Sequence, residues 1–148
     1  MAESMKRFFF FLLMLLLASS QAMACRCQNP EPESAYTRAD AVVLVKIREV
    51  TQVQENVERM ETEVLQSWKL KVTEDSDTLV VFSRANECPY VGQKGETHLL
   101  YLYLEKFSDL PEGFPEGFWT GNCVGNWPES YPQAIRHIQW LNRYGKRT

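Results

Sequence analysis

The sequence predicts a mainly β domain, with five strands wrapped into a small closed or nearly closed barrel and two helices, one short and early, one terminal. Three observations predict that class. Segments rich in β-branched residues or with period-2 alternation recur between residues 41 and 124, turn residues separate them, and a strong helical stripe is confined to the tail. The periodicity supports strands with helices; it does not by itself choose the barrel.

The elements follow in order. Residues 1–24 read as an export signal: Lys6 and Arg7 give a positive start, Phe8 to Ala18 is an unbroken apolar run, and Ala22-Met23-Ala24 is an A-x-A cleavage signature. The run is shorter than the roughly 18–20 residues of a bilayer span, so no transmembrane segment is expected. A single domain of residues 25–148 remains. Gln28 to Pro32 is extended or turning, because each proline biases its predecessor away from helix. Glu33 to Ala39 makes a short helix with Ala35, Tyr36 and Ala39 on one side, and Asp40 ends it.

Ala41 to Val50 is a long strand with Val43, Val45 and Ile47 towards the core and Lys46 and Arg48 outward. Thr51 to Asn56 is a polar turn. Glu58 to Lys69 is a second strand with Met60, Thr62, Val64, Gln66 and Trp68 in one register, and Thr73 to Asp77 is an acidic loop. Thr78 to Ser83 is a third strand, Val91 to Gly95 is turn chemistry, and Thr97 to Leu104 suits a strand buried on both faces. Residues 111–118 repeat Pro-Glu-Gly-Phe as a stiff loop, and a short fifth strand lies around Trp119 to Val124. In the tail, Ser130 offers an N-cap and Pro132 fits the first turn. Ala134, Ile138 and Leu141 form its apolar stripe, and Gly145 ends the helix before basic Lys146-Arg147.

Charge and cysteine usage bound the function. Without Lys6, Arg7 and Glu3 the domain carries 14 basic and 18 acidic residues, a balance that disfavours nucleic acid and anionic membrane surfaces as partners. All four cysteines, at 25, 27, 88 and 123, follow the signal. An even count on an exported chain argues for two disulfides. A Cys25–Cys27 bridge would close a strained ring, and both other pairings tie the N-terminus to distant segments. A Cys-x-Cys metal site is the alternative, but His98 and His137 have no ligand spacing to a cysteine.

No catalytic set is present: there is no phosphate loop, no nucleophile elbow and no zinc-binding His-Glu-x-x-His. The reading is of a non-enzyme without cofactor. His98, at the start of an apolar strand, and His137, on an exposed helix flank, read as structural. Glu61 and Glu63 share a strand face and read as solvated. Phe114, Phe118, Trp119 and Trp127 either form a docking surface or plug the barrel mouth.

Cleavage after Ala24 puts Cys25-Arg26-Cys27 at a free N-terminus. This opening resembles the inhibitory domain of the tissue inhibitors of metalloproteinases and, more broadly, netrin-like modules. Ala35 to Leu44 resembles their helix running into the first strand. Val64-Leu65-Gln66-Ser67-Trp68-Lys69 is similar to the second, and Cys88 and Cys123 fall where the partner cysteines lie. The resemblance covers most of the exported chain. It implies a single-domain member with an OB-like five-stranded closed barrel and bridges Cys25–Cys88 and Cys27–Cys123.

It also implies a function: blocking a zinc metalloprotease with the α-amine and carbonyl of Cys25 on the target's zinc, the protein holding no metal of its own. Arg26 would enter the specificity pocket, and the Ser83 to Cys88 stretch, with Asn86 and Glu87, would contact the cleft wall. Because Arg26 stands where the family has a small residue, the target pocket should be acidic or open to water. The rival readings are a non-inhibitory binding module of the periplasm or cell surface, and a thiol-redox or metal-handling protein using Cys-x-Cys. The location is secreted or periplasmic, the alternative being a lipid anchor on Cys25. The sequence sets no oligomeric state.

Overall fold

The computed structural model describes residues 27–70, 77–84, 88, 90–105 and 113–145. The β-branched run beginning at Ala41 extends as β1 (Ala41–Gln54) and turns back through Glu55 and Asn56 into β2 (Val57–Lys69). Next come β3 (Thr78–Arg84), β4 (Thr97–Glu105) and β5 (Gly117–Thr120). A 3-10 turn (Asn122–Val124) and the two-residue β6 (Trp127–Pro128) complete the sheet. Two helices flank it, α1 (Pro32–Arg38) and α2 (Pro132–Tyr144), each with proline in its first turn, where the missing N–H is not needed.

β1 pairs antiparallel with both β2 and β4, β2 with β3, and β4 with β5, while β3 and β5 run parallel. Five strands therefore close into a ring, and β6 adds to the side of β4. The enclosed face carries Val43, Val45, Ile47, Met60, Val81, Leu100, Leu102 and Phe118, contributed by all five strands. On the other face, Val42, Leu44, Trp68, Leu99 and Tyr101 meet Ala35 and Ala39 from the α1 end and Ala134 and Leu141 of α2. The central part of β1 is thus buried on both sides, which is why its apolar residues run without a break. Outside the cover of the helices, Arg48 pairs with Glu63 and Arg59 with Glu61, so those two carboxylates do lie on a salt-bridged surface.

Several expectations need correction. The polar stretch after Val50 is mostly strand, because Thr51 and Gln52 keep their partners Arg59 and Glu58 across the hairpin. The single register expected for β2 is broken. Met60 faces the ring interior but Trp68, of the same parity, packs under the helices. A register shift between Leu44 and Val45 leaves Leu65 unpaired, and one extra residue turns the rest of the strand over. The fifth strand begins at Gly117 and gives way to the 3-10 turn after Thr120. The cap position of α2 is Tyr131, not Ser130, and no side chain caps it. Gly145 does end α2, with an ordinary negative φ of −67°. The expected acidic loop at 73–77 and the first residues of the 111–118 loop lie largely outside the described residues.

Candidate functional site

The stretch ahead of α1 is fastened by a disulfide. Cys27 is bonded to Cys123 across 96 residues, with 4.9 Å between their Cα atoms. Cys123 sits in the 3-10 turn, which stops at Gly125 in the left-handed region (φ 101°). A Cβ at Gly125 would come within 3.2 Å of Pro30 and 3.3 Å of the Trp127 ring, so the strap after Cys27 lies close against this turn. The expected Cys27–Cys123 pair is therefore present.

Cys88 arrives at the same end of the ring. Its carbonyl lies 3.8 Å from where a Gly121 Cβ would stand, two residues before Cys123. Its φ of 54° is left-handed, a conformation that non-glycine residues adopt at a cost of order 1–3 kcal/mol when surroundings impose it. Cys88 is disulfide-bonded, and its expected partner, Cys25, lies outside the described residues, as do Arg26, Asn86 and Glu87. The structure thus brings together Cys27, Cys88 and Cys123 of the expected set.

Both ends of the segment holding Cys88 are anchored. Before it, Arg84 bonds Glu105 at 2.8 Å and lies 5.3 Å over Trp119 and 5.8 Å over Phe114. After it, the Tyr90 N–H donates to Ser83 Oγ at 3.0 Å. The Tyr90 hydroxyl meets His98 Nδ1, and His98 Nε2 reaches Glu96 at 2.9 Å. The backbone N–H of Gln93, with His98 beside it, holds the Glu96 carboxyl below the ordinary range, while burial pushes the Tyr90 phenol up. This tyrosine–histidine–carboxylate chain fastens the return segment to the ring. Sequence reasoning missed it, although His98 and Glu96, two apart at a strand start, were a local signal. Beside Arg84 and Glu105 a shallow pocket of about 180 Å³ opens, with Tyr103, Trp119 and Gly121 in its wall.

His137 is fully buried, not on an exposed flank. The Tyr101 hydroxyl lies 2.8 Å from its Nδ1 and the Trp127 ring 4.6 Å from its own. Burial, reinforced by the Arg136 charge and opposed by the Pro30 carbonyl, pushes the imidazole down to about 4. Phe118 and Trp119 are also buried, Phe118 inside the ring and Trp119 against Phe82 and Phe114, so these two aromatics offer no open docking face. Among the described residues no group of three or more His, Cys, Asp or Glu converges, and no helix is long and apolar enough to cross a membrane. Compared with known proteins, the chain matches no family model and no curated protein.

Proposed function

We propose that the protein is an exported inhibitor of a zinc metalloprotease, built as an OB-like five-stranded barrel with a second bridge, Cys25–Cys88, beside Cys27–Cys123. One observation carries this reading: the strap at Cys27, the Cys88 segment and the Cys123 turn converge at one end of the strand ring, fastened by a disulfide and close packing. A chain start stapled there forms a stiff wedge, and stiffness lowers the ordering cost of docking into a cleft. The neutral α-amine of Cys25, titrating near pH ~7.7–8, and its carbonyl ligate the target's zinc in the position that water occupies. Arg26 enters an acidic or solvated pocket, and Asn86 and Glu87 line the cleft wall. The protein itself supplies no metal, no cofactor and no catalytic group.

The test is intact mass of the exported chain before and after reduction, followed by protease assays. A chain beginning at unmodified Cys25 that gains four hydrogens on reduction, and that inhibits a zinc protease, is the expected outcome. Adding one residue ahead of Cys25 should then abolish inhibition, because the amine is displaced from the metal. An acylated Cys25, free thiols, or inhibition indifferent to the added residue removes the reading and leaves a stapled binding module.

A further inference from the structure

A second feature lies between the two helices, independent of the stapled chain start. Glu33, Tyr36 and Thr37 of α1 and Trp140 and Tyr144 of α2 line an open groove of about 640 Å³, the size of a small-ligand or short-peptide site. Its three aromatic rings stand in series, Tyr36 to Trp140 at 5.8 Å and Trp140 to Tyr144 at 5.6 Å between centroids. We propose that this groove binds a proline-rich segment of a partner protein in the polyproline II conformation, with a basic residue beside the prolines.

Ring geometry is the first argument. Successive planes are tilted by 59° and 44°, so the rings make stepped notches instead of a flat shelf. A flat shelf suits a stacked sugar; notches between aromatic edges suit the wedge of a pyrrolidine ring. Hydrogen bonding is the second. Among the described residues no group pairs with the Trp140 indole N–H or the Tyr144 hydroxyl, so two residues of the groove wall keep a donor without a protein acceptor. A polyproline II backbone presents its carbonyls outward, and its prolines bring no N–H that would need an acceptor in return.

Charge supplies the third. The exposed Glu33 carboxylate has no cation partner among the described residues and offers one to an incoming lysine or arginine. Lys69 Nζ already lies 5.2 Å over the Tyr36 ring and the Arg143 guanidinium 5.9 Å over that of Tyr144. Those positions compete with an aromatic cage for a quaternary ammonium, and leave the notches and Glu33 for the peptide. The Tyr36 hydroxyl donates to the Trp68 carbonyl at 3.2 Å, which fixes one wall before any ligand arrives.

The experiment is a titration of the full exported chain, followed through its indole N–H signals by proton–nitrogen NMR. Trp140→Phe assigns the Trp140 signal. The probes are a short oligoproline peptide ending in arginine, the same peptide ending in glutamine, a chito-oligosaccharide and a trimethyllysine peptide. A saturable shift of the Trp140 indole with the arginine peptide is expected, and Tyr144→Ala should weaken it roughly tenfold or more. Tyr144 is 62% exposed, so that variant keeps the fold, which the remaining signals verify. Glu33→Gln should weaken the arginine peptide alone and change its salt dependence, because Lys69 and Arg143 then face it without the carboxylate. No shift with either proline peptide overturns the proposal, as does saturation by the sugar or the trimethyllysine peptide in their place, or unchanged binding by Tyr144→Ala.

Discussion

His137 shows what one side chain's surroundings do to stability. The ring is fully buried and its pKa falls from 6.5 to about 4 on folding. The unfolded chain therefore takes up this proton first, and the contribution is complete above pH ~6.5 and lost as pH falls towards 4. At 1.36 kcal/mol per pH unit the loss is roughly 3 kcal/mol, visible as a fall in urea midpoint between pH 7 and pH 4 that His137→Gln should flatten. The residue's burial was legible in principle. It lies three residues after Ala134 and four before Leu141, on the stripe those two define, and its polarity alone assigned it to the flank. Gly145 makes the opposite point. Its φ of −67° suits any residue, but a Cβ there would stand 2.6 Å from the Leu141 carbonyl oxygen and 3.2 Å from Trp68. Gly145→Ala should cost about 1–3 kcal/mol through overpacking, read as a lowered urea midpoint with unchanged slope.

Among the elements, β2 carries two residues that β1 leaves unpaired, Leu65 and Trp68, and the first of them reverses its facing. Leu65 is half exposed and unpaired, and it is the reason Met60 and Trp68 serve opposite faces. Deleting it removes that reversal and swings Trp68, fully buried beneath the helices, towards the ring interior. Loss of a buried aromatic costs about 3–5 kcal/mol, so the deletion variant should unfold at much lower urea, with the Trp68 indole losing its bond to Asn142 Oδ1. Long elements with clear patterns were legible: β1 to β4 and both helices stand where β-branching, alternation and the prolines put them. The bulge was not, because inserting one residue leaves the composition of the strand unchanged. The short strands were harder again. β5 has four residues and β6 two, too few for any period, and the parallel pairing of β5 with β3 joins Val81 to Phe118 over a distance no local pattern records.

For the molecule as a whole, the ring and its staple act together. A bridge closing a loop of about a hundred residues stabilises by roughly 4–5 kcal/mol in the chain-entropy description. Cys27→Ser with Cys123→Ser should remove most of that, measured as the change in unfolding free energy under non-reducing conditions. Under the inhibitory reading the α-amine must be neutral, so inhibition should strengthen as pH rises through ~8, after correction for the protease's own profile. Cysteine spacing made a long-range staple at Cys27 legible, and Cys27–Cys123 is the pair the family resemblance implied. What fastens the Cys88 segment was not legible. Arg84 and Glu105 lie 21 residues apart on different strands, and the buried Tyr90 hydroxyl is turned towards His98 by the packing of the ring.

The bridge at Cys27 also changes what damage means for this protein. From there to Cys123 the backbone is a covalent circuit. A single cut anywhere along it opens the circuit without releasing a fragment, and the severed ends stay within one molecule, free to re-dock at high local concentration. A protein whose proposed station is the mouth of a protease can be nicked there and still hold its shape.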